Sequence, residues 1–147
     1  MGDEVHQQNF SATDYGDFQL KVEEELTFIR QLFAQKKFDQ KTRKLGYELE
    51  LCLIDSEGLP ASLNNQLLNK TKNPLFTCEL ATFNLEINGN PFSLTPSVFN
   101  NIERDLSHLY QQVEKALETF SCQPILFGVL PSLQLKHLDP DLYMSNM

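Results

Sequence analysis

Four glutamates are spaced so that they could do chemistry. Glu48 and Glu50 lie in Leu45-Gly46-Tyr47-Glu48-Leu49-Glu50-Leu51-Cys52-Leu53-Ile54-Asp55, where apolar and polar residues alternate strictly. Such alternation predicts a strand whose successive side chains point to opposite faces. Tyr47, Leu49, Leu51 and Leu53 then share a core face, and Glu48 and Glu50 share the other. Their Cα atoms would be roughly 6.5–7 Å apart. Two carboxylates held this close repel. A divalent cation beside them turns that cost into binding, because hard cations take oxygen ligands. Mg²⁺ or Mn²⁺ with a phosphate-bearing substrate is the natural candidate. The competing reading is a plain solvent-facing strand, which alternates in the same way.

A second pair, Glu79 and Glu86, lies in Thr77-Cys78-Glu79-Leu80-Ala81-Thr82-Phe83-Asn84-Leu85-Glu86-Ile87-Asn88. Here Phe83, Leu85 and Ile87 are expected to face in, and Asn84, Glu86 and Asn88 to face out. The two glutamates are an odd number of residues apart. An unbroken strand would therefore put them on opposite faces. A bulge near Ala81-Thr82 would bring them together. Alternatively, Glu79 ends a separate short strand.

These carboxylates need elements to hold them. A helix is expected from Asp14 or Asp17, with Phe18, Val22, Leu26, Ile29 and Phe33 as one apolar stripe. Glu23, Glu24 and Glu25 early in it and Lys36 and Lys37 late complement the helix dipole. Lys36, Lys37, Lys41, Arg43 and Lys44 form a basic linker into the first strand. Asp55-Ser56-Glu57-Gly58 is turn chemistry, and Leu59-Pro60-Ala61 returns as a short edge. A short helix over 63–69 ends before Asn73-Pro74. Residues 75–88 read as extended. A long helix starts at Ser97, its stripe formed by Phe99, Ile102, Leu106, Leu109, Val113, Leu117 and Phe120. Gln123-Pro124 ends it, and residues 125–130 read as a short buried strand. The tail from Ser132 has no clear period. This order predicts an α+β fold, an antiparallel sheet with helices packed on one face. A flexible tail is expected over residues 1–13, and one domain over 14–147.

Composition narrows the function. The chain has 147 residues, twelve basic and twenty acidic, for a net charge of −8. That balance argues against nucleic acid and against an anionic membrane surface as partners. No apolar run approaches the roughly 20 residues of a membrane span. The acidic start, Met1 to His6, has no hydrophobic signal core. Cys52, Cys78 and Cys122 are odd in number and widely spaced, which fits free thiols in a cytoplasmic protein. His6, His108 and His137 lack zinc-ligand spacing. There is no glycine-rich phosphate loop.

Gly46-Tyr47-Glu48-Leu49-Glu50-Leu51, with Glu79 and Glu86 in Cys78-Glu79-Leu80-Ala81-Thr82-Phe83-Asn84-Leu85-Glu86-Ile87-Asn88, resembles the N-terminal part of the glutamate–cysteine ligase family. The likeness is to its bacterial and plant-type branch, which includes carboxylate–amine ligases. The helix from Ser97, Phe127-Gly128-Val129-Leu130-Pro131 and the tail Leu138 to Met147 follow in the family's order. The resemblance covers about residues 18–147. It implies a curved antiparallel sheet of glutamine synthetase-like type. It further implies that Glu48, Glu50, Glu79 and Glu86 are metal ligands, holding Mg²⁺ (or Mn²⁺) against the phosphates of ATP and the carboxylate of glutamate. In that family the γ-carboxylate of glutamate attacks the γ-phosphate of ATP, and the amine of cysteine captures the acyl phosphate. The cytosolic substrates expected are therefore ATP, glutamate, and cysteine or another amine. The family's closing strands, with further metal carboxylates and phosphate-binding basic residues, are not found in this sequence. The expectation is an N-terminal portion that is inactive alone. Two other readings stand beside it. One is a non-catalytic interaction or regulatory module that self-associates through exposed sheet edges. The other is a plain α+β domain with solvated glutamates.

Overall fold

The computed structural model describes residues 7, 9–38 and 43–145. Most of the expected tail, Lys41 of the basic linker and the last two residues of the chain lie outside that description. The chain divides into two compact units, Met1–Arg43 and Lys44–Met147.

In the first unit, helix α1 spans Ala12–Ala34. Its N-cap is Ser11, not Asp14 or Asp17. The Ser11 hydroxyl accepts from the Asp14 N–H, and the Asp14 carboxylate accepts from the Ser11 N–H at 2.7 Å. This reciprocal box satisfies two donors that a helix start leaves open. No residue of α1 is buried, and Phe18, Leu26, Ile29 and Phe33 are exposed.

The second unit is built on a four-stranded antiparallel sheet. Its strands are β2 (Glu48–Ile54), β3 (Phe76–Cys78), β4 (Asn84–Asn88) and β6 (Gln123–Ile125), in spatial order β3-β4-β2-β6. A separate ribbon pairs β1 (Lys44–Leu45) with β5 (Phe92–Ser93). The strand expected over 45–55 is thus broken at Gly46-Tyr47, where the chain changes partner from β5 to β4. Tyr47 holds the break. Its carbonyl accepts from the Gly89 N–H at 2.9 Å, and its hydroxyl donates to Asp105 at 3.0 Å.

Leu51, Leu53, Phe76, Leu85 and Ile87 face one side of the sheet. They form the core with Leu67 of α2 (Asn64–Thr71) and with Leu109, Val113, Ala116 and Leu117 of α3 (Val98–Leu117). This is the expected α+β arrangement: antiparallel strands with both helices on one face. Fully burying each Leu contributes about 1.5–3 kcal/mol. The stripe of α3 is narrower than expected. Phe99 is 70% exposed, and Phe120 lies past the helix in a 3₁₀ turn over Glu118–Phe120. Lys70 ties that end down, donating to the Ala116 carbonyl at 2.9 Å and to Thr119 at 2.7 Å.

Two expectations after α3 are corrected. Gln123 and Pro124 do not end the helix but form β6, paired with β2. Pro124 is tolerated because β6 is an edge strand. Residues 125–130 are not a buried strand: Leu126, Phe127 and Val129 are exposed, and only Leu130 among them is fully buried. Leu130 and Leu133 pack on Cys52 and Ile54, covering one end of the sheet's second face. The tail then forms a 3₁₀ turn (Leu135–Leu138) and a one-turn helix α4 (Pro140–Tyr143), capped by Asp139. Among the described residues no helix is long and apolar enough to cross a membrane.

A candidate carboxylate site on the open sheet face

The end of the second face that Leu130 does not cover carries the glutamates. β2 and β4 are antiparallel, with Glu50 directly opposite Glu86 and Glu48 opposite Asn88. Like charges placed opposite each other destabilise a ladder, so this pairing needs a reason. Thr77 of β3 stands opposite Glu86 on its other side.

Glu79 reaches the same face by a route the sequence did not reveal. Residues 75–88 are not one bulged strand but a hairpin, with Cys78 opposite Leu85. Chain reversal, not a bulge, sets the face. Continuing the register past Cys78 puts Glu79 on the side of Thr77 and Glu86. Glu79 directly follows the separate short strand β3. It nonetheless joins the cluster. One carboxylate oxygen from each of Glu50, Glu79 and Glu86 lies within 4.8 Å of the others. Glu48 is not part of that trio. It shares the face but stands at the rim, in a shallow cleft lined by Gly46, Tyr47, Asn88 and Gly89.

Hydrogen bonds orient two of the three, Glu86 and Glu79. Glu86 Oε1 accepts from Asn88 Nδ2 at 2.6 Å and from Thr77 Oγ1 at 3.0 Å, and Asn88 Nδ2 also reaches Thr77 Oγ1 at 3.0 Å. Asn88 was legible as an outward residue, whereas Thr77 was not. Alternation read back from Glu86 through an assumed single strand gives Thr77 the wrong face. Glu79 Oε2 accepts from the Leu80 N–H at 3.3 Å.

The electrostatics follow from this packing. Partial burial pushes the Glu79 carboxyl above the usual range, reinforced by its hydrogen bond to Glu86 and by the charges of Glu86 and Glu50. Burial also opposes ionisation of Glu86, but the hydrogen bonds from Asn88, Thr77 and Glu79 together outweigh it and hold its carboxyl low. A divalent cation relieves the repulsion of crowded carboxylates, and three carboxylate oxygens suit a hard ion. On donor chemistry the residues fit such an ion.

No protein family, curated protein or solved structure matches this chain.

Proposed function

We propose that Glu50, Glu79 and Glu86 hold a divalent cation, Mg²⁺ or Mn²⁺, as part of an ATP-dependent ligase resembling glutamate–cysteine ligase. On this reading the chain supplies the N-terminal part of the catalytic unit. The observation that carries the proposal is the convergence of three carboxylates from two strands and a turn, with ligand oxygens within 4.8 Å of one another. Joining a carboxylate to an amine through an acyl phosphate requires two anions to meet, and a bound cation would neutralise and align them. Thr77 and Asn88 hold Glu86 ionised and oriented, so that it need not reorganise when the site fills. Glu50 faces it across the ladder. Glu48, at the rim, is set apart from the trio and is assigned a lesser part than the sequence suggested. Substrates on this reading are ATP, glutamate and cysteine or a related amine.

Calorimetric titration with MgATP tests this. The expected result is heat of binding for the parent chain and affinity lowered at least about tenfold in Glu50→Gln and Glu86→Gln. Absence of heat in the parent, or heat unchanged in both variants, contradicts the proposal.

A further inference from the structure

Glu79 is the one member of the trio that no strand holds. Glu50 and Glu86 are locked across the β2–β4 ladder, but Glu79 opens the turn over 79–83. That turn has little apolar anchorage at its start, since Leu80 is 56% exposed. At its far end Phe83 is buried and its carbonyl accepts from the Leu53 N–H of β2 at 2.7 Å, whereas nearer Glu79 hydrogen bonds from two distant segments hold the turn.

The first segment is the start of α2. Asn64 is buried to 1% exposure, and all its polar groups are used. Its Nδ2 donates to Ser145 Oγ at 2.8 Å and lies 3.3 Å from the carbonyls of Ala81 and Asn84. Its Oδ1 accepts from the Asn65 N–H at 2.7 Å, and its own N–H donates to the Thr82 carbonyl at 3.0 Å. The second segment is the end of the tail. The Thr82 N–H donates to the Tyr143 carbonyl and the Ser145 N–H to the Leu80 carbonyl, both at 2.7 Å, and Ala81 bridges Met144. Asn64 and Ser145 therefore join each other and clamp the turn from both sides.

We infer that Asn64 and Ser145 are positioning residues for the carboxylate site, setting Glu79 against Glu50 and Glu86 through this clamp; the inference rests on the cation-binding reading above. A buried Asn at a helix start could have satisfied itself on α2 alone. This one spends its side-chain amide on the turn and on the tail. Neighbours that orient metal ligands in this way commonly carry 10–100-fold of affinity.

Mn²⁺ binding to the full chain, followed by the paramagnetic resonance of the free ion, tests the clamp. Asn64→Ala and the milder Ser145→Ala should each weaken binding by about 10–100-fold. Ser145→Thr, which keeps the hydroxyl, should restore it. In both weakened variants the amides of Thr82 and Ser145 should exchange faster, with the β2–β4 ladder still protected. Folded Ser145→Ala or Asn64→Ala protein that binds Mn²⁺ like the parent overturns the inference and leaves the cation site standing. A parent chain that binds no Mn²⁺ overturns the cation-binding reading, and the inference falls with it.

Discussion

Glu79 and Glu86 carry the same functional group and are pushed in opposite directions. Glu86 receives donors from Thr77 and Asn88, while Glu79, served by the Leu80 N–H, is pushed up by burial and by its carboxylate neighbours. The sign of the consequence for stability is fixed by that difference. A carboxyl whose folded pKa lies above its ordinary 4.5 favours the folded state at low pH. That advantage is lost as pH rises from the ordinary value through the raised one. Glu79→Gln mimics the protonated form at every pH. It should stabilise the second unit by a few tenths to about 1 kcal/mol near pH 8, the scale of one cross-strand pair. The gain should vanish near pH 4, where Glu79 is protonated in both states. Urea midpoints at the two pH values check this. At this scale the sequence was informative about which glutamates leave the core. It was silent on how they group, because Glu48 and Glu50 are equivalent by alternation and differ only in what stands opposite: Asn88 for one, Glu86 for the other.

At the scale of elements, the β3–β4 hairpin decides the site. It was not legible because Glu79-Leu80-Ala81-Thr82-Phe83 contains no glycine, proline, asparagine or aspartate. Those residues are the usual local signal for a reversal. The turn is held by Asn64, 17 residues from Ala81, and by the tail, where Tyr143 is 61 residues from Thr82. By contrast β2, α2 and α3 were legible, since each shows its own period or turn chemistry. The hairpin's hold on the core is Leu85, fully buried against Leu51 and the helices. Leu85→Ala should cost roughly 2–5 kcal/mol, measured by urea unfolding of the second unit. A cost under about 1 kcal/mol would mean that β4 is not anchored as described.

For the molecule as a whole, α+β class and antiparallel pairing were readable from short turns and alternation. The division at Arg43 was not, because neither the basic linker nor the stripe of α1 carries a local signal for a boundary between compact units. The tail's role was also hidden, since its residues act through backbone groups that carry no sequence pattern. The arrangement has one functional consequence. Helices cover one face of the sheet, Leu130 and Leu133 cover part of the other, and the remainder presents carboxylates. The proposed function requires those carboxylates to bind a cation, and Mn²⁺ titration near neutral pH, read by the resonance of the free ion, tests this most directly. The parent and a Glu103→Gln control on the exposed side of α3 should take up Mn²⁺ alike, and a Glu50→Gln, Glu86→Gln double variant should lose that uptake. Equal uptake by parent and double variant, or none by the parent, would contradict the account.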